Sequence, residues 1–170
     1  DPLPPFPASV KDGYAVIAAD GVGEFPVVEP VIAGDAPTFT LQRGTIARIS
    51  TGAPLPAGAD SVVQVEDTTL IESSEDGNVE KRVRINKAAQ DVGQDVRSVG
   101  FDIAKGELVL RKNDILGPAE LGLLASIGVL EVRVYQRTTV AVLSTGNELR
   151  EHSQPLSYGQ IHDANRQTLM

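Results

Sequence analysis

Apolar residues along this chain fall in short runs, each closed by glycine or proline, and only one stretch has the spacing of a helix. An Asp12-Gly13 turn signal precedes the apolar run 14–19, which predicts a short strand with Asp12 at its mouth. Between Gly21 and Gly44, short Val/Ile segments are broken by Pro26, Pro30, Gly34 and Pro37. They read as edge strands and connecting loops, because proline donates nothing to a ladder. Residues 45–50 predict a strand, as do 61–71 and 79–85, the last two joined by an acidic tip centred on Asp76-Gly77. Their facing charges, Lys81, Arg82 and Arg84 against Glu66, Asp67 and Glu72, read as a solvated face. Pro118 after Gly117 opens the one helix, Leu121, Leu124 and Ala125 give it an apolar stripe, and Gly128 closes it. Leu130, Val132 and Val134 then alternate with polar residues, a half-buried strand. The run Val140 to Leu143 stops at Ser144-Thr145-Gly146, and Asn147 and Glu148 follow. Such a run predicts a strand buried on both faces, with a ligand crevice at its carboxyl end. Asp163 is placed as the N-cap of a last short helix.

This pattern predicts a mixed, β-rich, multi-subdomain chain whose final α/β part is cut short, since one strand cannot bury both faces of a parallel sheet. Composition agrees. Of 170 residues, 41% are hydrophobic, but aromatics are only 4%, so the core must be built from Val, Ile, Leu and Ala. A formal charge of −8, with no dense basic run, argues against a nucleic-acid partner. The absence of cysteine excludes disulfides and thiolate metal sites. No run approaches the roughly 18 apolar residues of a membrane span, and the first residues lack the charge and apolar core of a secretory signal. A soluble, cytoplasmic protein is expected.

Four carboxylates sit beside turns, Asp12, Asp102, Glu148 and Asp163, with the hydroxyls of Thr51, Ser144 and Thr145 in comparable settings. Oxygen donors on flexible backbone suit a hard cation such as Mg²⁺ shared with a phosphate, or hydrogen bonds to a polar heterocycle. Asp-Gly also forms turns for its own backbone bonds, so both readings stand. His152 and His162 match no metal spacing, and neither the dinucleotide fingerprint nor the P-loop occurs.

Taken together, PPFPASVKDGYAV, TGAPLPAGADSVVQVEDT, GQDVR with GFDI, GPAELGLLASIGV, VAVLSTGNEL and GQIHDANR form an ordered set. The set resembles the gephyrin E domain and MoeA-type molybdopterin molybdenumtransferase family, with wording nearer the eukaryotic gephyrin branch. The resemblance implies a β-rich subdomain II over 1–106, part of subdomain I over 107–137, and over 138–170 the start of a molybdopterin-binding, Rossmann-like α/β subdomain III. It implies insertion of molybdate into adenylylated molybdopterin with release of AMP, assisted by Mg²⁺, in a homodimer whose cleft lies between protomers. Asp12, Thr51, Asp102 and Glu148 match catalytic positions, with Asp12, Asp102 and Glu148 as the magnesium ligands. Ser144, Thr145, Gly146, Asp163 and Asn165 match the pterin-binding side, where Ala164 replaces the family's usual hydroxyl. The alternative implied activity is a scaffold that anchors inhibitory neurotransmitter receptors to cytoskeletal partners, through regions outside this chain. The lysines and serines expected to grip molybdate also lie outside it. The 170 residues alone should therefore release no AMP when incubated with adenylylated molybdopterin, molybdate and Mg²⁺, as followed by chromatography of the nucleotide.

Overall fold

Residues 1–170 are described by a computed structural model, in which the chain divides into two compact units, Asp1–Leu130 and Glu131–Met170. The first holds strands β1 (Ala8–Ser9), β2 (Gly13–Val16), β3 (Gly23–Val31), β4 (Ile46–Ile49), β5 (Ser61–Gln64), β6 (Thr68–Ser73), β7 (Glu80–Ile85) and β8 (Val96–Arg97), then helix α1 (Pro118–Ser126). The second holds β9 (Leu149–Arg150), β10 (Ile161–His162) and α2 (Ala164–Leu169).

The body of the first unit is a six-stranded mixed sheet in the order β5-β2-β4-β3-β7-β6. Strand β2 is buried along its whole length because both of its faces are covered. Ala15 joins Ala47, Ile49, Val62, Val31 and Leu41 in one cluster, while Tyr14 and Val16 join Ile46, Val63, Val83 and Ile85 in another. Successive side chains of a strand point to opposite faces, so one four-residue strand feeds two cores. Burying a Val or Ile side chain stabilises by about 1.5–3 kcal/mol, against about 0–1 kcal/mol for an exposed ion pair. These clusters, to which β7 contributes Val83 and Ile85, hold the sheet, and the charged outer face of the β6–β7 ribbon adds little. On that ribbon Arg82 does face Glu72 in register, but Arg84 reaches across to Glu24 of β3.

Strand β3 departs from expectation. It is nine residues long and lies inside the sheet, although it contains Pro26 and Pro30. It changes partners midway: Gly23 to Pro26 pair antiparallel with β7, whereas Val27, Val28 and Val31 pair parallel with β4. Each half therefore behaves as an edge strand. Pro26 ends one ladder, and Pro30 falls in the register shift between Val28 and Val31, positions that tolerate a missing donor. The expected strand over 61–71 is also interrupted, by a 3₁₀ turn at Val65–Asp67 between β5 and β6. The β6–β7 hairpin and its Asp76-Gly77 tip form as predicted.

Helix α1 starts at Pro118, where the Gly117 N–H donates to Glu120 Oε2 at 2.9 Å, and Gly128 follows it in the left-handed region (φ 77°). Only Leu124 of its apolar stripe is buried, and Leu121 is exposed. The two strands expected beyond it do not form. Residues 129–143 belong to no ladder, and Leu130, Val134, Val140 and Leu143 are exposed. A strand needs a neighbouring backbone to complete its hydrogen bonds, and nothing in this stretch provides one. In the second unit the ladder is instead the parallel pairing of β9 with β10, Leu149 opposite Ile161 and Arg150 opposite His162.

The buried Tyr14 hydroxyl donates to Glu80 Oε2 at 2.8 Å, and Arg48 lies over its ring. Burial, followed by the Glu80 bond, pushes the phenol up from 10.0 to about 12. A group whose folded pKa is raised contributes stability that is complete below the unfolded value and lost as pH climbs through the folded one. Denaturant melts should therefore lose about 1–2 kcal/mol as pH rises from 10 to 12, and Tyr14→Phe should abolish that part of the slope.

Candidate functional site

The Asp12 loop is fixed from three sides. Gly13, the first residue of β2, lies so close to β5 that a Cβ there would come within 2.0 Å of the Val63 carbonyl oxygen. On the chain side, the Asp12 carbonyl accepts from the Val65 N–H at 3.0 Å. The carboxylate then turns toward the loop after β4, where Asp12 Oδ1 accepts from the Thr51 N–H at 2.8 Å. Two residues singled out from separate turns, 39 apart in sequence, thus meet directly. Both are exposed, and the Thr51 backbone and Asp12 carboxylate form one polar lip beside the sheet.

Beneath that lip runs β1. Its Ser9 N–H donates to the Ala53 carbonyl and its carbonyl accepts from the Gly52 N–H, each at 2.9 Å. On its other side Ala8 pairs with Arg97 and Ser9 with Val96 of β8. Asp102 lies just beyond β8, held by an ion pair from Arg97 Nη1 to Asp102 Oδ2 at 3.3 Å, and the same guanidinium lies over the Phe101 ring at 5.7 Å. Arg97 closes the GQDVR motif but was not singled out from the sequence as a site residue. Its further signal was a cation five residues before a candidate carboxylate. Asp102 is also tied through its N–H to the Leu3 carbonyl at 2.9 Å.

In the second unit, Ser144, Gly146 and Asp163 line an open cleft of about 550 Å³ together with Val142, Arg150 and Arg166. The Ser144 hydroxyl bonds the Asp163 carboxylate, and this bond, helped by the Arg166 backbone N–H, holds the Asp163 carboxyl below its usual range. Asp163 is the N-cap of α2, as the sequence predicts, accepting from the Arg166 N–H at 3.2 Å. The Arg166 side chain pairs with Glu151, which depresses the Glu151 carboxyl in turn. Arg150 faces the cleft with Nη1 on the Leu149 carbonyl at 3.0 Å. Glu148 is exposed and folds back over Gly146, so that a Cβ on Gly146 would meet both of its carboxylate oxygens at 2.5 Å. Thr145 and Asn165 are exposed and do not line the cleft.

No three histidine, aspartate or glutamate side chains converge anywhere in the chain to hold a metal ion. Asp12 is engaged by a backbone N–H and Asp102 by a guanidinium. The donor set does not fit a complete Mg²⁺ site within this chain. No helix is long and apolar enough to cross a membrane.

A curled β-sheet unit with polar loops at its rim, followed by a short α/β unit, defines a recognisable class. The family model for the MoeA N-terminal region (domain I and II) matches residues 1–128, and the chain belongs to that family. Among its relatives, the molybdopterin molybdenumtransferase 2 of Mycobacterium tuberculosis is 43% identical over 96% of this chain and 40% of its own length. The gephyrin of Dictyostelium discoideum is 36% identical over 99% of this chain and 25% of its own length. A solved molybdopterin biosynthesis MoeA protein from Pyrococcus horikoshii superposes with a TM-score of 0.77 at 30% identity, covering 98% of this chain and 44% of that one. The chain therefore spans between a quarter and a half of the length of these proteins.

Replacing Asp163 by Ala should cost the α2 N-terminus its cap, read as loss of helical Cα shifts over Ala164–Leu169. In the unaltered chain the capped conformation, stabilised by a depressed carboxyl, should persist through the ordinary aspartate range and fray only as pH falls below it.

Proposed function

We propose that this chain supplies part of a molybdopterin molybdenumtransferase, which inserts molybdate into adenylylated molybdopterin with release of AMP. The observation that carries this reading is the direct Asp12–Thr51 hydrogen bond. Two family-matched positions from distant turns join in one polar lip, with β1 linking it to the strand that holds Arg97 and Asp102.

Each feature has a use in that chemistry. A carboxylate held on one oxygen by a backbone donor keeps its orientation, so the other oxygen of Asp12 is aimed without reorganisation when substrate arrives. The Arg97–Asp102 pair is a fixed dipole near the same loops, and its guanidinium offers further donors to an oxyanion. In the second unit, Arg150 offers a cation to a phosphorylated pterin beside the paired Arg166 and Glu151, and the Ser144–Asp163 pair presents hydrogen-bonding groups to the heterocycle's edge. Glu148, Thr145 and Asn165 belong to the same proposed pterin side. Magnesium, if it takes part, requires ligands beyond those that this chain brings together. The proposed homodimer and cytoplasmic location follow from the family resemblance. The gephyrin-type scaffolding reading draws on no residue of this chain.

The test is a pair of substitutions in the full-length polypeptide that carries this chain. Asp12→Ala and Glu148→Ala should each lower the rate of molybdenum insertion by about 10²-fold or more, with unchanged thermal unfolding. Wild-type rates in both variants would refute the reading.

A further inference from the structure

Ser9 is a short polar side chain in the most crowded part of the rim, only 3% exposed. Its hydroxyl makes two bonds to one residue: Oγ donates to the Lys11 carbonyl at 2.6 Å and accepts from the Lys11 N–H at 3.3 Å. Its backbone is committed elsewhere, the N–H to the Ala53 carbonyl and the carbonyl to the Gly52 N–H, while it sits opposite Val96 in the pairing with β8. The next residue follows suit, with the Val10 N–H on the Asp95 carbonyl at 2.9 Å. Ser9 is therefore the point at which the loop carrying Thr51, the strand carrying Arg97 and the bend leading to Asp12 are all referred to one another.

We infer that Ser9 is the positioning residue of the Asp12–Thr51 pair: its hydroxyl locks the Val10–Lys11 bend so that the Asp12 carboxylate meets the Thr51 N–H. The inference rests on the reading of that pair as part of the transferase site. A serine hydroxyl bonding the backbone two residues on is a compact way to close such a bend. Its backbone bonds to Gly52 and Ala53 hold the acceptor and donor loops in the same frame. Without the hydroxyl the strand remains, since its ladder is made by backbone, but the bend after it is free to open. Asp12 then loses its aim while the sheet keeps its core. Ser9 touches no reacting atom in this scheme and acts through Asp12.

Three variants of the full-length polypeptide separate the possibilities, Ser9→Ala, Ser9→Thr and Asp12→Asn, assayed with adenylylated molybdopterin and molybdate. The 170-residue chain, labelled with nitrogen-15, reports the Thr51 amide resonance alongside. Ser9→Ala should move that amide proton upfield, as its bond to a carboxylate lengthens, and lower kcat about 10-fold at unchanged KM. Ser9→Thr, which keeps the hydroxyl, should restore both. Should Ser9→Ala fail to fold, Ser9→Cys, similar in volume and a poor hydrogen-bonding group, is read in the same way. A wild-type Thr51 resonance and kcat in the Ala or Cys variant, with turnover lost in Asp12→Asn, would overturn the role of Ser9 and leave the site reading intact. Wild-type turnover in Asp12→Asn would instead remove the site reading, and the inference with it.

Discussion

The close approach of Gly13 to the Val63 carbonyl sets the geometry of everything at the rim. Any side chain there would collide with backbone, which cannot rotate out of the way as a flexible side chain can. Because the position is bare, β2 seats tightly between β4 and β5, and its first residue marks where the sheet stops and the loop begins. Asp12 is one step further out. The carboxylate thus inherits its position from the best-buried strand in the molecule, and Thr51 arrives from the end of the neighbouring strand β4. A polar pair anchored this way needs few contacts of its own to be held, which is consistent with its exposure to solvent.

Charge along the chain is arranged in keeping with that frame. The net −8 is not spread evenly over function. Asp12 and Asp163 each accept from neutral donors, a backbone N–H in one case and a hydroxyl with a backbone N–H in the other. Asp102 and Glu151 are matched to arginines. The first arrangement orients a carboxylate without cancelling its charge, whereas the second makes a locally neutral group that still offers donors. In an acidic chain the second kind limits the repulsion that uncompensated carboxylates would impose on an anion.

Much of this was legible from residue order. The hairpin at Asp76-Gly77, the helix opened by Pro118, the β4 segment and the Asp163 cap follow from local turn chemistry and local periodicity, and all four form. What escaped depended on partners. Pro26 argued against an interior strand, yet β3 accommodates it by having one neighbour at a time. The alternation over 130–134 and the apolar run 140–143 describe which side chains seek burial, but periodicity says nothing about whether a second backbone is there to complete the ladder. At the site the ordering was the same. Asp12 and Thr51 could be named individually from their turns, while their contact is a long-range fact that no local pattern encodes. Arg97 closes the GQDVR motif, but no role attaches to it until its carboxylate and its aromatic neighbour are seen in place.

The change of partners within β3 has a consequence for the ribbon formed by β6 and β7. Their backbone ladder joins the rest of the sheet through the first four residues of β3, while the half that borders β4 is on a separate ladder, and Val83, Ile85 and Glu80 of β7 pack inward around Tyr14. Added length at the exposed tip, residues 75–78, therefore lies beyond Glu80 and outside the core that holds β2. A fluorophore or an affinity handle grafted there would ride on the molecule without disturbing the Asp12–Thr51 contact.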